Sequence, residues 1–481
     1  MSRIRRLRER TAAMWDALTP DHAKGSHQEF IFAPDPIDER DVMPPTASAH
    51  PVNHIPGDRE VARNTAEVLV FRILGTPLSV GLTVLQSRVL GPEGRGGYLL
   101  AVLGVTLITR LLGEIGTVAT NQIARDPRTV GPWTATALRS SVMLGVAGAF
   151  LLALSPWVIE YVPSDWIAEV PRGIAALTAL AVVPALVSRC LSGILLGAGR
   201  IRLWSFIQVL PNGISVCGFY ILVIQLDLGV EGAIAGYVAG HAVTAIVALV
   251  ATYRMWAGWL FRHTPWSYLA RLVKLAAAMG LGGFLIALNL RVELTLLQSH
   301  DGDAAAGIYG TAINIAEMLW LITTAIATAI WVPMLHESEE RAAALVRRSA
   351  LKGMAYLILG ATAVAIAAPF LIPLIYEDRY EPAVTPLFWL LPGIIVYGPV
   401  QVLTAYVAVR RGRPGFALVG PVGSLVVTVA LAAVFIPRWE ATGAAIACTI
   451  GYFVGAAGVW VVFFIVSGRS PRFRLRPATT G

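Results

Sequence analysis

Residues 441–466 read ATGAAIACTIGYFVGAAGVWVVFFIV, 26 positions without one acidic, lysine or arginine side chain. As an α-helix this stretch would run about 39 Å, enough to cross a hydrocarbon core of ~30 Å. Its apolar residues surround the helix on every side, so no face is left for water. Comparable runs recur on the amino-terminal side. Membrane helices are expected near 65–88, 98–122, 134–157, 173–197, 204–225, 230–252, 269–298, 304–333, 349–374, 385–409, 415–436 and 441–466. Composition points the same way: 56% of the 481 residues are hydrophobic and 14% charged. A soluble domain carries about 25% charged residues, so this chain lacks the polar surface of a water-facing globule.

Basic residues give these helices a polarity. With the amino terminus inside, the inner loops hold Arg125, Arg128, Arg200, Arg202, Arg254, Arg262, Arg271, Lys274, Arg341, Arg347, Arg348, Lys352, Arg410, Arg411 and Arg413. The outer loops hold only Arg88, Arg95, Arg172, Arg379 and Arg438, among acids such as Glu160, Asp165, Asp301, Asp303, Glu377 and Asp378. With the tail arginines the bias is roughly four to one, which predicts an even number of spans in the cell membrane with both termini cytoplasmic. Residues 1–60 open with Arg3, Arg5, Arg6, Arg8 and Arg10, lack periodicity, and are expected to form a disordered cytoplasmic arm. Residues 469–481 are expected to be a basic cytoplasmic tail. Cys190, Cys217 and Cys448 lie inside apolar runs with no metal-like spacing, and buried small hydrophobes are their expected role.

The chain also repeats itself. Tyr98 follows the first span as Tyr309 follows the seventh, at 309 − 98 = 211 positions; Gly232 and Gly443 open the sixth and twelfth spans at the same offset. Gly199 and Gly412 precede spans five and eleven at an offset of 213. The expected fold is therefore an all-α polytopic membrane protein of about twelve helices. Two six-helix bundles, residues 61–265 and 266–468, form a parallel repeat around a central cavity.

Ionisable groups at membrane depth cost a few kcal/mol each and call for an explanation. Span one carries Arg72, Thr76, Ser79, Thr83 and Gln86 on one stripe, and span two carries Arg110, Glu114, Thr117 and Asn121. Glu114 lies one turn from Arg110 and can neutralise it. Span seven contains Asn289, Arg291, Glu293, Thr295 and Gln298; span eight offers Asn314, Glu317, Thr324 and Thr328. Glu317 is a candidate partner for Arg291 or a proton-carrying acid. A hydrated cavity lined by these faces suits an anion, because guanidinium forks pair with phosphate oxygens and stay charged. The candidate substrate contacts are Arg72, Arg110, Arg291, Gln86 and Asn314, and the candidate coupling or ion-pair residues are Glu114, Glu293 and Glu317. Arg189 and His241 are expected to be structural. No metal site or cofactor is expected.

The segment Arg88-Val89-Leu90-Gly91-Pro92-Glu93-Gly94, with Gly97-Tyr98, resembles the first loop of polysaccharide and oligosaccharide flippases. These belong to the multidrug/oligosaccharidyl-lipid/polysaccharide exporter superfamily. Gly193 to Arg200 resembles the end of their fourth helix. Arg291-Val292-Glu293, Gly307-Ile308-Tyr309 and Ala316 to Trp320, closing at Pro333, resemble their helix 7–8 region, with Glu293 where the family usually has Asp. The resemblance covers roughly residues 61–468. It implies alternating access, with a polyprenyl-diphosphate-linked oligosaccharide flipped outward for cell-surface polysaccharide or lipopolysaccharide synthesis. Arg72, Arg110 and Arg291 would meet its diphosphate or acidic sugars.

A drug exporter of the same superfamily is the alternative, and an arginine-lined cavity argues against the cations it would carry. A membrane polysaccharide polymerase or glycosyltransferase would need a sizeable outer loop, and the loops are short. No Gly-rich loop followed by Lys-Ser or Lys-Thr supports an ATP-driven pump. The expectation is thus a transporter and not an enzyme, with membrane lipids, a lipid-linked oligosaccharide and a polymerase or glycosyltransferase as partners, and no nucleic acid. A proton or sodium gradient acting through Glu114, Glu293 or Glu317 is one hypothesis for its energy source.

Overall fold

A computed structural model of the chain describes residues 58–125, 129–159, 171–262, 266–411 and 413–468. The expected amino-terminal arm, apart from residues 58–60, and the basic tail lie outside the described residues. No strand occurs among the described residues. Ten of their helical runs are long and apolar enough to cross a membrane. Two of these, Gly75–Thr120 and Gly415–Gly468, are hairpins of two passes each, which brings the number to twelve.

The passes are α1 (58–90), α2 (92–125), α3 (Val130–Ile159), α4 (Arg172–Gly197), α5 (Ile201–Gln225), α6 (Gly229–Trp256), α7 (266–301), α8 (303–336), α9 (Glu339–Tyr376), α10 (384–410), α11 (414–439) and α12 (441–468). The packing shows that the long runs fold back. Arg95 donates to Gln86, nine residues earlier. Leu294 packs beside Gly310, and Ser424 and Thr428 pack beside Gly451. Straight helices would hold the members of each pair well over 10 Å apart.

The turns carry the internal repeat in their backbone. Gly91 (φ 70°, ψ −179°) breaks α1 from α2, and Gly302 (φ 82°, ψ −177°) breaks α7 from α8. Gly229 (φ 51°) opens α6, and Glu440 (φ 48°) separates α11 from α12. Both pairs keep the offset of 211 (302 − 91 and 440 − 229) found for Tyr98 and Tyr309. Only glycine adopts such conformations without cost. Glu440 holds one that its equivalent fills with glycine, so Glu440→Gly is expected to raise stability by about 1 kcal/mol. Thermal unfolding in detergent checks this; an unchanged or lowered transition would show that Glu440 is not strained.

Large apolar side chains cover the outside, including Phe150, Val250 and Phe370 at 63%, 72% and 75% exposure. In water such a surface would aggregate; against lipid it is the expected one. Thr76 and Ser79 of the α1 stripe are also exposed, and a polar stripe on an apolar helix belongs on a hydrated space. Cys190 and Cys448 are buried as expected. Cys217 is exposed, because its turn of α5 lies on the outside of the bundle.

The halves meet closely at the end bearing the Gly91 and Gly302 turns. Gly96 lies against the Asp303 carbonyl and Gly307 against the Pro92 carbonyl, so any side chain at either would strike backbone. Around them the Arg88 guanidinium donates to Leu374 and Ile375 carbonyls at the end of α9, both at 2.7 Å. Arg379 donates in return to the Arg88 carbonyl at 2.6 Å, and the Tyr380 hydroxyl to the Ser87 carbonyl at 3.1 Å. Guanidinium groups at helix carboxyl ends satisfy carbonyls left free there and complement the helix dipole. A second seam joins α2 to α7, where Gly280 and Gly283 lie against the Leu111 and Arg110 carbonyls.

Candidate functional site

The intramembrane charges gather where helices are interrupted. Helix α2 breaks between Leu112 and Ile115, at Gly113 and Glu114. Arg189 of α4 crosses that break; a Cβ on Gly113 would sit 2.6 Å from its Cδ, so only glycine leaves room. The guanidinium reaches Glu114 at 2.9 Å, and Thr117 donates to the other carboxylate oxygen at 2.7 Å. In the second half, α7 breaks at Leu290 and Arg291, and α8 at Leu319. Arg291 donates to both Glu317 oxygens, at 2.6 and 2.8 Å, and to the Leu290 carbonyl at 2.6 Å. A broken helix in hydrocarbon leaves carbonyls without donors, and a fork-shaped cation restores them while meeting a carboxylate.

Arg110 is left over. The sequence offers Glu114 as its partner four residues on, but Arg189 takes that carboxylate. Arg110 makes no hydrogen bond or ion pair among the described residues, and its side chain is exposed. Arg110, Arg189 and Glu114 are close enough to interact electrostatically, so the cluster carries one net positive charge. A single exposed guanidinium on a membrane helix is a site for an anion or lies at a water-filled space.

Other candidates fall elsewhere. The Arg72 side chain lies outside the described residues. Gln86 is buried at the α1–α2 turn, accepting from Arg95, and does not face the space between the halves. Asn314 is half-buried one turn before Glu317. Glu293 is fully buried, separate from the Arg291 pair, with the Cys448 thiol donating to one oxygen at 3.8 Å. Its other oxygen, both amide atoms of Asn289 and the Tyr309 hydroxyl have no partner among the described residues. A carboxylate shut away from water must be neutralised by a proton or a cation. His241, expected to be hydrogen-bonded, instead has an Nδ1 without a partner among the described residues, and its ring stands edge-on to Tyr237 at 4.6 Å. The sequence reading missed the Arg189–Glu114 pair. Its only local signal is the Gly113-Glu114 step inside an otherwise helical pattern.

A family model described as "Polysaccharide biosynthesis protein" matches residues 61–339. A comparison with curated protein sequences returned no match. Among solved structures, the chain resembles a lipid II flippase, MurJ, in an inward closed conformation (TM-score 0.69, 11% identity, 84% of this chain and 90% of the other). It also resembles an inward-facing multidrug resistance MATE family transporter of the MOP superfamily (TM-score 0.66, 17% identity, 84% and 98% covered). A third likeness is to a MOP superfamily transporter from Pyrococcus furiosus (TM-score 0.59, 16% identity, 85% and 95% covered). At these identities the structural likeness speaks to the fold: a multi-pass, two-lobed helical membrane protein.

Proposed function

The chain belongs to the polysaccharide biosynthesis protein family, and from that premise we propose that it is a transporter flipping a polyprenyl-diphosphate-linked oligosaccharide from the inner to the outer leaflet. The observation that supports this reading best is Arg110, an exposed guanidinium with no protein partner among the described residues, beside the Arg189–Glu114 pair. A diphosphate matches a guanidinium left unpaired in a cluster that carries one net positive charge. Arg291, held by both Glu317 oxygens, acts first as scaffold. An exporter of organic cations would want an accessible and unpaired carboxylate, whereas Glu114 and Glu317 are paired with Arg189 and Arg291 and Glu293 is sealed in the second half.

The positive-inside bias places the turns at Gly91 and Gly302 on the outer face, so the interlocked end is the outer gate in its shut state. Both termini are then cytoplasmic. Inner-face glycosyltransferases supply the substrate, and an outer-face polymerase or transferase consumes it. Glu293, with Asn289 and Tyr309, is the coupling site, where a proton or sodium ion neutralises the carboxylate.

Arg110→Ala is expected to weaken binding of the lipid-linked substrate 10- to 100-fold while leaving the fold intact, and Arg110→Lys to restore part of it, since one charge-assisted contact contributes about 1.5–3 kcal/mol. Native mass spectrometry of the protein in membrane lipid, with flipping in proteoliposomes, reads this. Substrate bound equally by wild type and Arg110→Ala would remove Arg110 from the site. Glu293→Gln is expected to bind substrate normally and to lose gradient-driven flipping; full gradient dependence in that variant would move the coupling elsewhere.

A further inference from the structure

In the first bundle lies a cavity of about 170 Å³ with one open side. Helices α2, α4, α5 and α6 bound it, with Thr109, Ser188, Arg189, Gln208, Tyr237 and His241 among its lining. Its size excludes a drug-sized ligand, which takes about 300 Å³ or more. A cavity of roughly 150 Å³ holds a bare ring the size of benzene, and the open side here leaves room for the substituents of a larger one.

The lining narrows the choice further. Thr109 and Ser188 give their protons to the Thr106 and Ala185 carbonyls of their own helices, so both hydroxyls present lone pairs. Gln208 offers a donor and an acceptor, and His241 keeps an Nδ1 without a partner among the described residues. Arg189 contributes donors, but its charge is already met by Glu114 at 2.9 Å. Among the described residues no acidic side chain lines the cavity, and Tyr237 supplies an aromatic wall. An organic cation would want a carboxylate, and a bare anion would want an uncompensated arginine. Mixed donors and acceptors around one aromatic face fit a ring whose every hydroxyl both donates and accepts. Gln208 is exposed and Arg189 partly so, which marks the open side; Thr109 adjoins Arg110 in the chain.

We infer that this cavity is a glycan subsite holding one neutral pyranose of the transported head group, while Arg110 meets the diphosphate. The inference rests on the flippase reading for its biological role, and its chemistry can be tested separately. The full-length protein in lipid nanodiscs would be titrated with neutral methyl pyranosides and with methyl glucuronide, followed by saturation-transfer NMR. A polyprenyl diphosphate without sugar would be measured in parallel. The variants are Gln208→Leu, His241→Phe and Arg110→Ala, each compared with wild type for thermal unfolding.

The expected result is binding of at least one neutral methyl pyranoside, weakened tenfold or more by Gln208→Leu and by His241→Phe. Arg110→Ala should weaken the polyprenyl diphosphate. Binding confined to methyl glucuronide would overturn the subsite as a neutral-sugar site. So would pyranoside binding that both cavity variants retain, or its absence from wild type. Polyprenyl diphosphate bound without any pyranoside defeats the subsite and keeps the flippase. Pyranoside bound without the diphosphate lipid keeps the subsite and defeats the flippase.

Discussion

Arg291→Met is expected to destabilise the second bundle by about 3–5 kcal/mol, because it strands the Glu317 carboxylate without its cation. The Arg291 and Glu317 side chains are 28% and 19% exposed, and the bond between them uses both oxygens. The same change leaves the Leu290 carbonyl without its donor at a helix break. Removing both members should cost much less, since two apolar groups leave no stranded charge. The measurement is thermal unfolding in detergent of Arg291→Met, Glu317→Leu and the double variant. A coupling energy near zero would show that the pair is incidental. If the double variant folds well yet binds no lipid-linked substrate, Arg291 also serves the substrate. If it folds and still flips, Arg291 is scaffold alone.

Gly307→Leu is expected to prevent the interlocked end from closing. A Cβ at Gly307 would collide with the Pro92 carbonyl and come within 3.1 Å of the Gly96 nitrogen, and both are main-chain atoms in the other half. Backbone cannot rotate aside as a side chain can, so the halves must part. Overpacking of this kind costs about 3 kcal/mol, more than a hundredfold in a shut–open equilibrium. Spin labels on Glu93→Cys and Glu381→Cys, both exposed positions flanking the seam, would report the separation by pulsed dipolar spectroscopy. The background would replace Cys190, Cys217 and Cys448. The expected outcome is a longer, broader distance distribution in Gly307→Leu and loss of flipping. An unchanged distribution in a folded variant would mean that this seam is not where the halves separate. Arg88→Ala with Arg379→Ala should shift the distribution the same way but less far. These side chains hold carbonyls across the seam and do not themselves block its closure.

The candidate site turns on how charges pair across helices. Arg189 and Glu114 are 75 positions apart, and Arg291 and Glu317 are 26. Arg110 and Glu114 are one turn apart and stay unbonded, because α2 breaks between them and turns the carboxylate toward α4. Local spacing therefore proposed one partner, and packing supplied another.

The sequence by itself determined the solvent of this protein, the helices and their repeat. Lipid offers no hydrogen bonds, so each span must be a helix, and its apolar length is legible without knowing its neighbours. The offset of 211 residues was visible in Tyr98 and Tyr309 and in Gly232 and Gly443, and the turns at Gly91 and Gly302, whose positive φ favours glycine, keep the same offset. Only the tertiary structure decided that Arg110 has no partner among the described residues, that Gln86 belongs to a turn, that Glu293 is sealed, and that a small polar cavity lies within the first bundle. Hydropathy is summed along one helix. Pairing, burial and cavities depend on distances between helices that the chain order does not contain.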